Sequence, residues 1–127
     1  MASKSAVVTD RAPAAIGPYS QGISAGSFVF LSGQIPLDPS GAFVGGDAAA
    51  QTQRCLLNVR AALEAAGLTM DDVVKTTVFM TDLGSFAAMN EVYARHFRAP
   101  YPARSTVQVA ALPKGAAVEI EVTAMRP

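Results

Sequence analysis

An α+β fold, with two helices laid on one face of a mixed or antiparallel sheet, is what three observations on this 127-residue sequence predict. The segments run β-β-α-β-α-β-β, which lacks the strict strand–helix alternation of a doubly wound sheet. Two stretches repeat apolar residues every three or four positions, the period of a helix with one buried face. The chain is 50% hydrophobic but only 16% charged, against roughly 25% charged in an average soluble domain. A sheet covered by helices on one side only would leave its other face open, and so poor a charge content predicts that this face packs against another subunit. The length suits one hydrophobic core, so residues 1–127 are expected to form a single domain.

The elements follow in order. Ile16-Gly17-Pro18-Tyr19-Ser20-Gln21-Gly22-Ile23 reads as a turn feeding a short strand, and Ser24-Ala25-Gly26-Ser27 as the next turn. Phe28-Val29-Phe30-Leu31 is rich in strand formers without alternation, which predicts cover on both faces. It ends at Ser32-Gly33-Gln34-Ile35-Pro36, where Gly33 suits a bulge or a close backbone approach and Pro36 stops a central strand. From Asp47 to Ala66 the helical period is carried by Leu56, Val59, Leu63 and Ala66, with Asp47 as N-cap and Gly67 at the C-terminal end. Val73 to Met80 is dense in β-branched residues and predicts the strongest strand. A second helix near Leu83 to Phe97 carries Phe86, Met89, Asn90, Tyr93 and Phe97 on one stripe, and Asn90 there needs hydrogen-bond partners. Arg104 to Val109 and Val118 to Ala124 are expected to close the chain as a hairpin around Leu112-Pro113-Lys114-Gly115.

Composition also narrows the function. Ten basic and ten acidic residues give zero formal net charge, and Arg95, His96 and Arg98 are scattered, which argues against binding nucleic acid through its phosphates. No apolar leader follows Met1-Ala2-Ser3-Lys4-Ser5 and no run approaches the ~20 apolar residues of a membrane span, so a soluble cytoplasmic chain is expected. One cysteine excludes an internal disulfide and any Cys-x-x-Cys motif, and Cys55 beside Leu56 and Val59 reads as a buried thiol. His96 has no second histidine with which to share a metal, Gly45-Gly46 lacks the rest of a phosphate loop, and Ser32 has no partners in a nucleophile-elbow pattern.

Two groups invite chemistry. Strand period places Arg104, Thr106 and Gln108 on one face and Ser105, Val107 and Val109 on the other, so Arg104 should point away from the hydrophobic side of its strand. It reads either as a structural or solvated rim arginine or as a fork for a carboxylate, stiffened by Pro102. Glu119 and Glu121 share one face about 7 Å apart, as a solvated edge or as a carboxylate acting on water. Tyr19 seals a core edge or walls a cleft.

The sequence resembles the Rid family, also called the YjgF/YER057c family of reactive-intermediate deaminases and often described as endoribonuclease L-PSP. The likeness rests on Ala14-Ala15-Ile16-Gly17-Pro18-Tyr19, Ser32-Gly33-Gln34-Ile35-Pro36, Asn58, Ala65-Ala66-Gly67-Leu68, Val74-Lys75-Thr76-Thr77-Val78-Phe79, Asp82-Leu83, Asn90, Tyr93, Tyr101-Pro102-Ala103-Arg104-Ser105 and Leu112-Pro113-Lys114 followed by Val118-Glu119-Ile120-Glu121. It implies a chorismate-mutase-like fold, a homotrimer with a central barrel, and clefts between neighbouring subunits. It further implies that Arg104 binds a substrate carboxylate and Glu119 polarises a water, while Tyr19, Ser32, Asn90 and Thr106 line or support the cleft and Glu121 is structural. The implied reaction is hydrolysis of 2-enamine or 2-imino acids, such as 2-aminoacrylate and 2-iminopropanoate, to 2-keto acids and ammonia, with no metal or organic cofactor. Many family members carry cysteine where this chain has Thr106. Competing readings are a ribonuclease or translation inhibitor and a non-catalytic small-molecule binder.

Overall fold

The computed structural model describes residues 3–127. Its strands are β1 (Lys4–Val7), β2 (Gly22–Ala25), β3 (Phe28–Leu31), β4 (Val73–Met80), β5 (Ala103–Gln108) and β6 (Val118–Met125), and its helices are α1 (Ala48–Ala65) and α2 (Phe86–Ala94). The expected order holds from β2 onward. The strand β1 precedes it and pairs antiparallel with β2, Ala6 opposite Ile23; three of its four residues are exposed, so no buried face marked it in the sequence.

All six strands form one sheet in the order β1-β2-β3-β6-β4-β5. This corrects the expected closing hairpin: β5 and β6 do not pair with each other. β4 lies between them, antiparallel to β6 and parallel to β5, with α2 as the crossover from β4 to β5. The reason is visible in the side chains. β6 buries Val118, Ile120, Val122 and Ala124 on one face and belongs in the middle of the sheet, whereas β5 has none of its residues fully buried and fits an edge.

The core lies between the helices and one sheet face. Cys55, Leu56, Val59, Ala62 and Leu63 of α1 and Met89 and Tyr93 of α2 pack on Val29, Leu31, Val78, Met80, Val118, Ile120 and Val122. Asp47 caps α1, its side chain accepting from Ala50 N at 2.9 Å, and Gly67 turns the chain at φ 77° just beyond it. α2 is shorter than the predicted Leu83–Phe97, because Asp82 accepts from Gly84 N at 2.7 Å and sets a separate 3-10 turn before it.

The opposite sheet face is open. Phe28 (42% exposed), Phe30 (47%), Val107 (40%) and Met125 (44%) lie there, so the cover expected on both faces of β3 is present on one only. No helix among the described residues is long and apolar enough to cross a membrane.

Candidate functional site

Arg104 sits on edge strand β5, opposite Thr76 of β4, and its side chain turns under α2 toward the helical layer. This reverses the orientation read from polarity: the polar set Arg104 and Thr106 faces inward, and Ser105 and Val107 face out. The cause is α2, which offers the arginine a fitted surface. Phe86, Asn90 and Tyr93, spaced four and three residues apart, fall on one side of that helix. The guanidinium carbon lies 4.7 Å from the Tyr93 ring centroid and 5.4 Å from that of Phe86, and Nη1 donates to Asn90 Oδ1 at 2.7 Å. Asn90 thus has the partner that its place on an apolar stripe demanded. Among the described residues of the chain no carboxylate lies within 4.0 Å of Arg104.

Tyr93 is itself fixed. Its hydroxyl shares a 2.7 Å hydrogen bond with the fully buried Thr76 hydroxyl, and its ring packs 4.5 Å from Phe97. Burial pushes its pKa up against the opposing Thr76 hydrogen bond and Arg104 charge, so it stays a neutral phenol. Thr106 follows Arg104 on the same face, and its hydroxyl oxygen is buried without a hydrogen-bond partner. These residues form a cationic group able to take an anion.

Glu119 belongs to a second group on the open face of β6, between the buried Val118 and Ile120. Half-burial and then the neighbouring Glu121 charge push its pKa up. Its carboxylate lies against Gly33, where an added Cβ would collide with it, so the close approach allowed by the sequence at Gly33 is an approach to Glu119. The segment is pinned by Gln34, which exchanges backbone hydrogen bonds with Ile120 at 2.8 and 3.0 Å. Ser32 donates from Oγ to Ser20 O at 2.6 Å and from N to Gln21 O at 2.9 Å, tying the Tyr19 loop to the end of β3. Tyr19 stands 54% exposed, its hydroxyl accepting from Ile16 N at 3.3 Å.

The residues singled out in the sequence therefore fall into two sets. Asn90, Arg104 and Thr106 meet on the helical side of the sheet; Glu119 and the Ser32–Gly33 turn lie at its open side, and within one chain the two sets are divided by the sheet itself. Phe86, Thr76 and Gln21 were missed as site supports. Only the four- and three-residue spacing of Phe86, Asn90 and Tyr93 could have pointed to the first of these.

Other features lie apart. His96 pairs through Nε2 with Gln53 Oε1 at 2.6 Å and lines a cleft of about 370 Å³ with Arg60, Arg95 and Arg98 on the outer helical surface. Cys55 is buried as expected, and burial pushes its thiol far above the ordinary range. Among the described residues no group of three or more His, Cys, Asp or Glu side chains gathers as a metal centre.

Comparison with known proteins gives a consistent picture. The family model described as Endoribonuclease L-PSP matches residues 9–126. Protein DfrA of Myxococcus xanthus is 52% identical over 126 residues, covering 97% of this chain and 96% of its own. The 2-iminobutanoate/2-iminopropanoate deaminase of Salmonella typhimurium is 52% identical over 123 residues, covering 94% and 96%. The crystal structure of E. coli TdcF with bound serine superposes with a TM-score of 0.91 at 50% identity, covering 97% of this chain and 99% of that one.

Proposed function

The chain belongs to the endoribonuclease L-PSP family, the Rid/YjgF proteins, and on that premise we propose that it is a hydrolytic deaminase of 2-enamine and 2-imino acids. Its substrates would be small species such as 2-aminoacrylate and its tautomer 2-iminopropanoate, and its products a 2-keto acid and ammonia. The observation that carries this reading is an arginine restrained by an amide and two aromatic rings, with no carboxylate partner among the described residues, on the same strand face as an orphaned hydroxyl.

Because the sheet separates Arg104 from Glu119, the reaction centre in this reading is shared. Asn90, Arg104 and Thr106 of one chain face Tyr19, Ser32 and Glu119 of a second across a subunit boundary, and three chains close the ring as a homotrimer. The open face with Phe28, Phe30, Val107 and Met125 supplies apolar surface for such an assembly.

Arg104 fixes the substrate carboxylate, which sets the neighbouring C2 in place. Glu119 accepts a proton from a water as its oxygen bonds to C2 and the imine nitrogen takes a proton, giving a carbinolamine. The C2–N bond then breaks as the amine takes the proton held by Glu119 and leaves as ammonia, and the hydroxyl proton is released as the C2 carbonyl forms. The raised pKa of Glu119 strengthens it as a base. The imine is already activated, so orientation and charge are what the protein adds. No metal or organic cofactor enters this scheme.

The test is turnover of freshly generated 2-aminoacrylate, followed by ammonia and pyruvate release above the spontaneous rate. Arg104→Ala should lower kcat/KM by about 30-fold to a few thousand-fold, the loss expected for a desolvated anion contact. Unchanged efficiency in that variant would reject the assignment.

A further inference from the structure

Arg104 is held without charge: among the described residues, each hydrogen-bond and ring partner of its guanidinium is neutral. Asn90 Oδ1 accepts from Nη1 at 2.7 Å, and the Tyr93 and Phe86 rings lie at 4.7 and 5.4 Å. A carboxylate in the place of Asn90 would hold the side chain as firmly but would also cancel its field. A neutral amide and two π faces restrain it and leave the positive charge available.

The restraint reaches into the core. Tyr93 is 6% exposed, its hydroxyl is tied to Thr76, and Thr76 is fully buried on β4 directly beside Arg104 in the parallel register. The plane on which the guanidinium rests is therefore fixed by the same strand pair that sets its backbone.

We propose that Tyr93, backed by Thr76, and Phe86 are positioning residues which, with Asn90, form an uncharged cradle that holds Arg104 in its anion-binding pose while preserving its full charge for a monocarboxylate. This rests on the reading that Arg104 binds the substrate carboxylate. The cradle makes selective demands. Shape without charge is required at Asn90, and an aromatic plane, rather than volume alone, is required at Tyr93.

The experiment is calorimetric titration of the intact protein with pyruvate, together with steady-state kinetics on enzymatically generated 2-iminopropanoate. Wild type and Arg104→Ala come first: if the alanine variant binds pyruvate as wild type does, the carboxylate reading and the cradle both fall. With that arm passed, Asn90→Asp should weaken pyruvate binding about tenfold or more, without a lower Tm, because the new carboxylate competes for the guanidinium. Tyr93→Leu should weaken it by about 3- to 30-fold, the worth of a cation–π contact, and Tyr93→Phe, which keeps the ring but loses the tie to Thr76, should recover part of that loss and not all of it. In kinetics the effect should fall on KM rather than kcat, as expected for an interaction made equally in ground and transition states. If Asn90→Asp and Tyr93→Leu bind pyruvate as tightly as wild type while Arg104→Ala does not, the cradle is refuted and the arginine keeps its role. Should Tyr93→Leu fail to fold, Asn90→Asp decides alone, since it preserves the shape of the site.

Discussion

Gly33 has no room for a side chain, because the Glu119 carboxylate occupies the space where a Cβ would go. Gly33→Ala should therefore leave the sheet intact and push the carboxylate aside. Displacement by about 1 Å is of the size that costs on the order of 100-fold in rate. Paired measurements of Tm and kcat/KM check this; full activity with an unchanged Tm would show that the contact does not set the carboxylate. Asn58 is a second residue whose role follows from its partners. It is fully buried, donates to Leu37 O at 2.8 Å and Ile35 O at 3.4 Å, and accepts from Arg54 Nη2 at 2.8 Å. Asn58→Ala would take its partner from the part-buried Leu37 carbonyl and its acceptor from Arg54, at a cost of about 1–3 kcal/mol, to be read from urea unfolding; Ile35 O keeps its bond from Leu37 N. At this scale Asn90 was legible in the sequence, since an amide on an apolar stripe must find a partner. For Phe86 and Tyr93 their spacing from Asn90 placed them on its side of the helix but not their role, because an aromatic at helical spacing looks the same whether it fills a core or backs an arginine.

Among the elements, β6 joins stability to chemistry. One face carries the buried Val118, Ile120, Val122 and Ala124, and the other carries Glu119 and Glu121. Burial first and Glu121 second raise the pKa of Glu119, and a base must be ionised to work, so activity should rise with pH along a limb lying above the ordinary glutamate range. Glu121→Gln removes one negative charge beside Glu119, which makes its ionisation easier and should move that limb to lower pH. The pH dependence of kcat/KM for both proteins tests the sign; a limb that stays in place or moves upward would exclude coupling through this pair. The alternation of β6 made its buried face readable in the sequence, and the β-branched run of β4 made that strand readable. Their neighbours were not. Alternation tells which side chains share a face but not which strand lies alongside, so β5 was paired with β6 although β4 separates them. The inward turn of Arg104 was misread for a related reason: polarity usually marks the solvent side of a strand, and here the helix packed over β5 presents polar and π groups of its own.

For the whole molecule, the sheet is a partition with half of the proposed chemistry on each side. Chains carrying Arg104→Ala and chains carrying Glu119→Gln should each be inactive alone, yet mixed assemblies obtained by co-expression should regain about a quarter of wild-type activity, since each shared site draws its two halves from different chains at random. Ammonia release from the purified mixture measures this. Absence of any recovery in verified mixed assemblies would mean that both groups act from one chain. The open apolar face was legible in outline from the low charge content of the sequence; clefts between subunits were expected only from the family resemblance, and which residues fall on which side of the sheet depends on packing that polarity misread at Arg104.

A partition of this kind also bears on inheritance. In the proposed trimer, a polypeptide defective in both halves, entering a ring with two sound ones, would spoil the cleft on its left and the cleft on its right and leave a single working site among three. Such an allele would be dominant over the healthy copy in proportion to its expression, whereas alleles lesioned on opposite sides of the sheet would partly mask one another.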